Sequence, residues 1–502
     1  MELPSYVFGD DLAFPYRKKP GFKQEIPFAD SFVINRVMGG YHEDGLRKFG
    51  HWDGRQGRRS LDYAVKGDDG KLHFRPDLIE ARLRPYLDAG YKPSDITLAL
   101  DNTPWDLATP DGQAPKEGVW GRRTPPGDWS EWGEVVRRFA SDLKAYLGED
   151  ADKIGFETGV EYDERQSFDG DAATFFHYYE VTDRALHAVL PRARLNPGEF
   201  TAAGVCKDTS PNCVYDSKAF LEFAAREGLD VADTPRSLHA FLDRNRASPA
   251  EAAQRSVESY RRLPATIAEI HQFGVLEQPF GRDAGDDPGP IQATFEFQTL
   301  VRLMAAGPPR RVFHWGGFVP VGKLSFLDGS GVLRLVLDHY VGDDATTLAL
   351  RDTAAPFPAE TLGLALTGKG AIALMLSSFS ARPQAGSRPV SVDLPDAWKG
   401  KRVRAVRYSG SRNVFATLKR DLAAEGNLRP EFAACALCLG KPVLMASDAN
   451  RARALIVRNA SRYEAEMHDG LKWAPDPGTK IEGRRLTTDL EANELLIVEP
   501  QD

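Results

Sequence analysis

Between about residue 30 and residue 330, short runs of β-branched and aromatic residues alternate with longer stretches whose apolar positions recur every three or four residues. Phe32–Val37 reads as a first strand, followed by a polar turn at Gly39 and Gly40. Asp77–Ala89 has helical spacing, with Leu78, Ala81, Leu83 and Leu87 on one side and Gly90 as a stop. Ile96–Leu100 is the next strand. It runs into Asp101, Asn102 and a long loop rich in Pro and Gly that ends near Pro126.

The rhythm then repeats. Helical spacing covers Trp129–Leu147, Ala172–Val189, Lys218–Glu227, a segment from Ser248 and Pro249 to Arg262, and Ile291–Ala306. Strand-like runs fall between them at 153–157, Ala193–Asn196, Ser237–Phe241, Thr266–Ile270 and Arg311–Trp315. Ser248 followed by Pro249 is a cap followed by the residue best suited to a first helical position. This alternation of strand and helix predicts an α/β fold, a (β/α)8 barrel over residues 26–335. Seven strands are clear, and the eighth is placed between residues 105 and 130.

The texture changes after about residue 340. Ala371–Leu376, Val390–Leu394, Val403–Tyr408 and Leu495–Val498 are short strands separated by turn residues, with few helices. They predict a β-sandwich accessory domain over 336–502. Residues 1–25 look extended and are expected to join it.

Composition narrows the function classes. The chain has 502 residues, too many for one compact core, which supports two domains. Acidic and basic residues are interspersed around a net charge of −8, and no basic stripe exists to follow a phosphate backbone. Nucleic acid is therefore not an expected partner. No apolar run is long enough for a membrane span, and the first residues lack the basic start and apolar stretch of a signal peptide. The simplest expectation is a cytoplasmic protein, with a periplasmic or secreted one if a leader has been removed. Oligomeric state, a homo-oligomer included, is left open.

Cys435 and Cys438 form a lone CxxC without a second pair or a spaced histidine, and HxH and HExxH spacings are absent, so no metal and no cofactor are expected. Cys206 and Cys213 flank a turn-rich loop that closes as a disulfide under oxidising conditions or leaves two thiols.

The candidate chemistry lies at strand ends. Ile154-Gly155-Phe156-Glu157 is a short apolar run, and Glu161 stands where the chain turns polar. Retaining glycosidases need two carboxylates about 5–5.5 Å apart, one acid/base and one nucleophile, which a barrel presents from the C-terminal ends of different strands. Glu161 supplies one, with Phe156, Val160 and Tyr162 around it to favour the protonated form. Glu269 is the first candidate for the other and Glu277 the alternative. Gln272, between them, cannot attack as it stands. Glu157 lies inside its strand, as a buried structural carboxylate or a support for the site.

Residues 125–132 (Pro-Pro-Gly-Asp-Trp-Ser-Glu-Trp), the following Val135, Val136 and Phe139, and Phe156-Glu157 through Glu161 together resemble glycoside hydrolase family 39 of clan A. Residues 174–179 and 186–191 resemble that family's next helix, and Ser237-Leu238-His239-Ala240-Phe241 resembles its Ser-Phe-His-Ala-Tyr strand. Arg36 with the turn 39–44 resembles its first strand, and Arg407-Tyr408 with Arg412-Asn413 a strand of its sandwich. The resemblance implies Glu161 as acid/base and a carboxylate of the seventh strand as nucleophile. It also implies a sugar pocket lined by His239 and Phe241 and floored by Trp315, with Arg36 and Asn102 as further substrate-binding candidates.

Two positions depart from the family. Val160 stands where an Asn normally binds the sugar 2-hydroxyl, and Met38 stands where a His is expected. The sequence thus predicts a retaining, exo-acting glycosidase on oligosaccharides or polysaccharide side chains, for a pentose or related sugar. The alternative is a non-catalytic carbohydrate-binding protein on the same fold.

Overall fold

The computed structural model describes residues 5–9, 32–34, 37–39, 62–88, 91–108, 124–165, 167–200, 213–215, 217–231, 234, 236–242, 248–262, 268–275, 289–306, 311–315, 318–321, 324–338, 344–348, 350–352, 360–368, 371–380, 386–394, 396–425, 430–434, 442–446, 449–469 and 471–501.

Nine parallel strands organise the first two thirds of the chain: β1 (Ser5–Gly9), β2 (Phe32–Ile34), β3 (Ile96–Ala99), β4 (Gly155–Glu157), β5 (Arg194–Asn196), β6 (Glu199–Phe200), β7 (Arg236–Leu242), β8 (Ala268–Val275) and β9 (Arg311–Trp315). One sheet has the order β2-β3-β4-β5 and the other β6-β7-β8-β9-β1. Only Pro197 and Gly198 separate β5 from β6, and β1 lies against β2. The strands therefore occupy eight positions in circular order, the order of a (β/α)8 barrel, with β5 and β6 sharing one position. Because every pairing is parallel, all C-terminal strand ends share one rim.

The position sought between residues 105 and 130 is filled elsewhere. Ser5–Gly9 pairs in parallel with Arg311–Trp315, residue for residue, so this opening segment lies in the barrel sheet and not in the sandwich sheets. Its run Tyr6-Val7-Phe8 is short and apolar, the composition common in strands of a parallel sheet.

The intervening helices are α1 (Pro76–Asp88), α2 (Trp129–Leu147), α3 (Ala172–His187), α4 (Ser217–Glu227), α5 (Pro249–Arg262), α6 (Pro290–Ala306) and α7 (Gly329–Asp338). Helix α2 starts where Asp128 accepts hydrogen bonds from the backbone N–H groups of Ser130 and Glu131. It buries Trp132, Val135, Val136, Phe139, Ala140 and Leu143, one stripe at helical spacing. Helix α3, capped by Asp171, ties its neighbours to the strands. Tyr178 Oη donates to the Leu100 carbonyl just beyond β3 (2.6 Å), and Tyr179 Oη donates to the Leu195 carbonyl in β5 (3.0 Å). Burial pushes the Tyr178 phenol well above its ordinary range, so it remains a donor.

The C-terminal part holds two antiparallel sheets. The larger has six strands, with Ala371–Phe379 and Leu495–Gln501 at its centre; the smaller has four, centred on Ser387–Asp393 and Arg485–Glu491. Leu374, Leu376, Val390, Val392, Leu486, Leu490, Leu496 and Val498 fill the space between them, which makes the pair a sandwich. Alternate residues of the strand Ala371–Phe379 face the other way. Ala373, Met375 and Phe379 join the core that includes α6, Phe379 meets Phe295 edge to face at 5.2 Å, and Gln298 Nε2 donates to the Ser377 carbonyl. The sandwich is thus cemented to the barrel through one buried helix. Residues 336–502 also contain helices Val414–Ala424, Ala449–Arg458 and Ala460–Asp469, more helix than an all-β reading allows, and α7 runs across the boundary placed at 335/336.

Candidate active site

Glu161 stands four residues past the end of β4, at the C-terminal rim. Its backbone adopts φ +58, the left-handed region that a residue with a Cβ enters only at a cost of about 1–3 kcal/mol. Such strain persists only where the surroundings impose it, and here they do. Val214 N–H donates to the Asp163 carbonyl at 2.8 Å, and Glu164 bridges to Cys213 in an antiparallel pairing. Tyr162 packs among Phe168, Phe175 and Tyr178, and its Oη accepts the Asn102 N–H at 2.9 Å. On the other side, Gly198 (φ +121) sits so close that a Cβ there would meet the Gly159 carbonyl oxygen at 2.8 Å.

Cys213 is disulfide-bonded, the first of the two states open to it on sequence. Cys206, its expected partner, lies outside the described residues.

His239 reaches Glu161 from β7. The ring is wholly buried, its Nδ1 is 2.7 Å from Glu161 Oε1, and the Glu161 side chain keeps 24% exposure. His239 is thus a buried ring that reaches the rim through Glu161. Asn102, just beyond β3, is buried and joins the Glu161 loop through Tyr162. Phe241 near the end of β7 and Trp315 at the end of β9 have their backbones at the same rim. Arg36 and Glu277 lie outside the described residues. In the chain, Glu277 follows the last residue of β8 by two positions.

Glu269 is placed differently from its sequence assignment. The strand expected over Thr266–Ile270 begins at Ala268 and continues to Val275, with an irregularity between His271 and Phe273. Glu269 is thus the second residue of β8 and belongs to the N-terminal half of the barrel, opposite the rim that carries Glu161. It is 3% exposed and accepts a contact from His271 Nε2 at 3.1 Å. His271 Nδ1 in turn lies 3.4 Å from Glu157 Oε2. Neither Asn196 nor Ser237 was singled out on sequence, yet Asn196 Nδ2 donates to Ser237 Oγ at 2.8 Å in the same layer. The legible signal was the spacing Glu269-x-His271, two polar residues on one face of a buried strand.

No metal-holding group of His, Cys, Asp and Glu exists among the described residues, and no helix among them is long and apolar enough to cross a membrane.

No family model matches the chain, and no curated protein matches it. Solved structures do match. A glucosidase from Croceicoccus marinus is 10% identical, with 100% of this chain and 96% of that chain covered and a TM-score of 0.53. A family 44 xyloglucanase from Paenibacillus polymyxa is 10% identical over 100% and 98%, with a TM-score of 0.52. A family 51 alpha-L-arabinofuranosidase from Bifidobacterium longum is 12% identical over 100% and 97%, with a TM-score of 0.51. The neighbours are clan A glycoside hydrolases built on (β/α)8 barrels. The chain shares their fold. At this level of identity the likeness speaks for the architecture, and chemistry must be argued from the site.

Proposed function

We propose that this protein is a retaining glycoside hydrolase, with Glu161 as acid/base and Glu277 as nucleophile. One observation carries the reading: a partly exposed glutamate in a strained backbone conformation at the C-terminal rim, held at 2.7 Å by a buried histidine from another strand. The fold adds support, since its solved neighbours are glycoside hydrolases and barrel chemistry occurs at this rim. Glu277 is preferred to Glu269 because it follows the C-terminal end of β8, whereas Glu269 starts that strand.

In the first step Glu161 gives its proton to the leaving oxygen while the Glu277 carboxylate attacks the anomeric carbon. A glycosyl ester forms as the glycosidic bond breaks. In the second step Glu161 takes a proton from water, the water oxygen attacks the same carbon, and the Glu277 carboxylate departs. His239 fixes the carboxyl that carries out both transfers. Phe241 and Trp315, with their backbones at the rim, fit a sugar-stacking role, and Asn102 lies beside the Glu161 loop; Arg36 is a further substrate-binding candidate from the sequence. The substrate class is an oligosaccharide or polysaccharide side chain cut from its end, in line with the resemblance of the sequence to family 39. Val160 stands where an Asn would bind the 2-hydroxyl, so the sugar, a pentose or a related one, must be held there by other donors.

The same Val160 is the specific observation behind the second reading, a carbohydrate-binding protein without turnover. A panel of aryl glycosides separates the two. Hydrolysis by the wild type that falls about 10²–10⁴-fold in Glu161→Gln, and that azide restores in Glu161→Ala as the glycosyl azide, supports the enzyme. Sugar binding without turnover on the whole panel sinks it.

A further inference from the structure

Barrel interiors are ordinarily filled by branched apolar side chains in layers. One layer of this barrel is polar. Glu157 ends β4 and is level with Asn196 of β5; Asn196 Nδ2 donates to Ser237 Oγ of β7; Ser237 is level with Glu269 of β8. His271, two residues on, faces Glu269 with Nε2 (3.1 Å) and Glu157 with Nδ1 (3.4 Å). Glu157, His271 and Glu269 are all at least nine-tenths buried. The catalytic steps use none of the three.

An imidazole can donate from both ring nitrogens only as the imidazolium. Nε2 is hydrogen-bonded to Glu269, and Nδ1 meets Glu157 in a longer charge contact, so a protonated His271 would stand as a cation between two anions. Removing charges from water costs several kcal/mol per ion even after relaxation, so such a trio gives little net stability. What it does give is a fixed distance. Glu157 lies four residues before Glu161, and His271 lies six residues before Glu277. The bridge thus joins the two strands that lead to the two catalytic carboxylates.

We propose that His271 is a positioning residue, which holds the ends of β4 and β8 at the separation the double displacement requires by bridging Glu157 and Glu269. This rests on the glycosidase reading above. Retention tolerates a carboxylate spacing of only about 5–5.5 Å, and a misplacement of about 1 Å can cost about 10²-fold in rate.

The charged and titratable groups around the bridge come from every neighbouring element. Glu157 faces it from β4, His239 is the register partner of His271 on β7, and Glu269 shares β8. Asp152, Lys153, Arg192 and Arg194 surround a cavity of about 460 Å³ that reaches Glu269 and His271 from the N-terminal side. Lys153 is paired with Asp150 and Arg192 with Asp152 and Glu149, so these charges are largely balanced among themselves.

Ring-nitrogen NMR and steady-state kinetics on the full chain test the proposal. In wild type both His271 nitrogens are expected to show the protonated signature from about pH 5 to 8, beyond the range of an ordinary histidine. His271→Asn is expected to lower kcat about 10²-fold with KM within about threefold. Glu157→Gln is nearly isosteric and keeps an acceptor for the ring while losing an anion. It is expected to hold kcat within about threefold at low pH and to move the alkaline limb of kcat to lower pH, because the imidazolium loses a stabilising charge. If His271→Asn does not fold, the Glu157→Gln profile decides alone. A neutral ring at about pH 6, or variants whose kcat and pH profile match wild type while only melting temperature falls, overturns the proposal. Wild type inert on the whole glycoside panel overturns the catalytic reading and the positioning role with it, and the NMR spectra then decide the bridge separately.

Discussion

His239 Nδ1 lies 2.7 Å from Glu161 Oε1, although the two residues are 78 positions apart. The contact joins the loop after β4 to the interior of β7. The histidine is sealed and the glutamate is not, so the immobile partner orients the one that meets solvent. The backbone of Glu161 is fixed independently, by its strained conformation and by the Cys213–Val214 segment that pairs with its loop.

Removing the ring should therefore cost rate rather than fold. A hydrogen bond to a charged group contributes about 1.5–3 kcal/mol, which is about 10- to 100-fold in kcat/KM. His239→Phe fills the same space without a donor and is expected to fall in that range on an aryl glycoside that wild type turns over. Thermal melting provides the control. A loss smaller than about threefold in a folded variant would mean that His239 is packing alone.

A mechanism-based 2-deoxy-2-fluoro glycoside traps the glycosyl ester of a retaining enzyme, and peptide mass spectrometry then finds the esterified residue. The label is expected on Glu277, and on the same residue in Glu269→Gln. A label on Glu269 would contradict the assignment of the C-terminal rim as the reacting face. No label on either, with turnover intact, would point to inversion, which uses carboxylates about 6.5–9.5 Å apart and no covalent intermediate.

Long periodic elements were legible in the sequence. The helix Trp129–Leu147, the segment ending at Arg262 and the strand Arg311–Trp315 occupy the spans their patterns predict, because burial of one stripe or one short run decides them. Ser5–Gly9 was not legible, because its barrel place depends on pairing with a strand some 300 residues away, which no local pattern encodes. The same limit applies to Glu269. A strand start and a strand end look alike when the boundary is uncertain by two to four residues, and here that uncertainty spans the barrel from one half to the other. Glu161 was legible because the turn of polarity after Phe156-Glu157 marks a strand's end directly. The polar layer was not, since Glu157, Asn196, Ser237 and His271 come together only once four strands are aligned.

His187 makes stability depend on pH. It lies in the last turn of α3, where a cation is favoured. Its ring nitrogens meet the Asp183 carboxylate and carbonyl on one side and the Ala193 carbonyl (2.9 Å), just before β5, on the other. The hydrogen bond that His187 donates to the Asp183 carboxylate raises the imidazole from 6.5 to about 9, against the opposing effect of burial. A raised folded value means the stabilisation is whole below 6.5 and is lost as pH rises through about 9. Partial exposure of the pair reduces its size. His187→Gln is expected to melt below wild type at about pH 6 and to converge with it by about pH 10. A gap between the two melting curves that is constant across this range would contradict the ion pair.

Gly198 tests whether β5 supports the catalytic loop. Its φ of +121 is open to glycine alone, and a Cβ would meet the Gly159 carbonyl, two residues before Glu161, at 2.8 Å. Backbone against backbone leaves no flexible side chain to yield, so Gly198→Ala must move the loop, strain its own backbone, or both. The expected cost is about 1–3 kcal/mol of stability, together with a fall in kcat. Gly228, after α4, is the matched control: φ is +67, and nothing lies within 4 Å of its added Cβ. Gly228→Ala should lose about 1–2 kcal/mol for the left-handed conformation and leave kcat unchanged, since it touches nothing at the rim. Equal kcat values for the two variants, at equal loss of melting temperature, would show that β5 holds the barrel together without shaping the site. A selective loss in Gly198→Ala would show that the strand sets the position of Glu161.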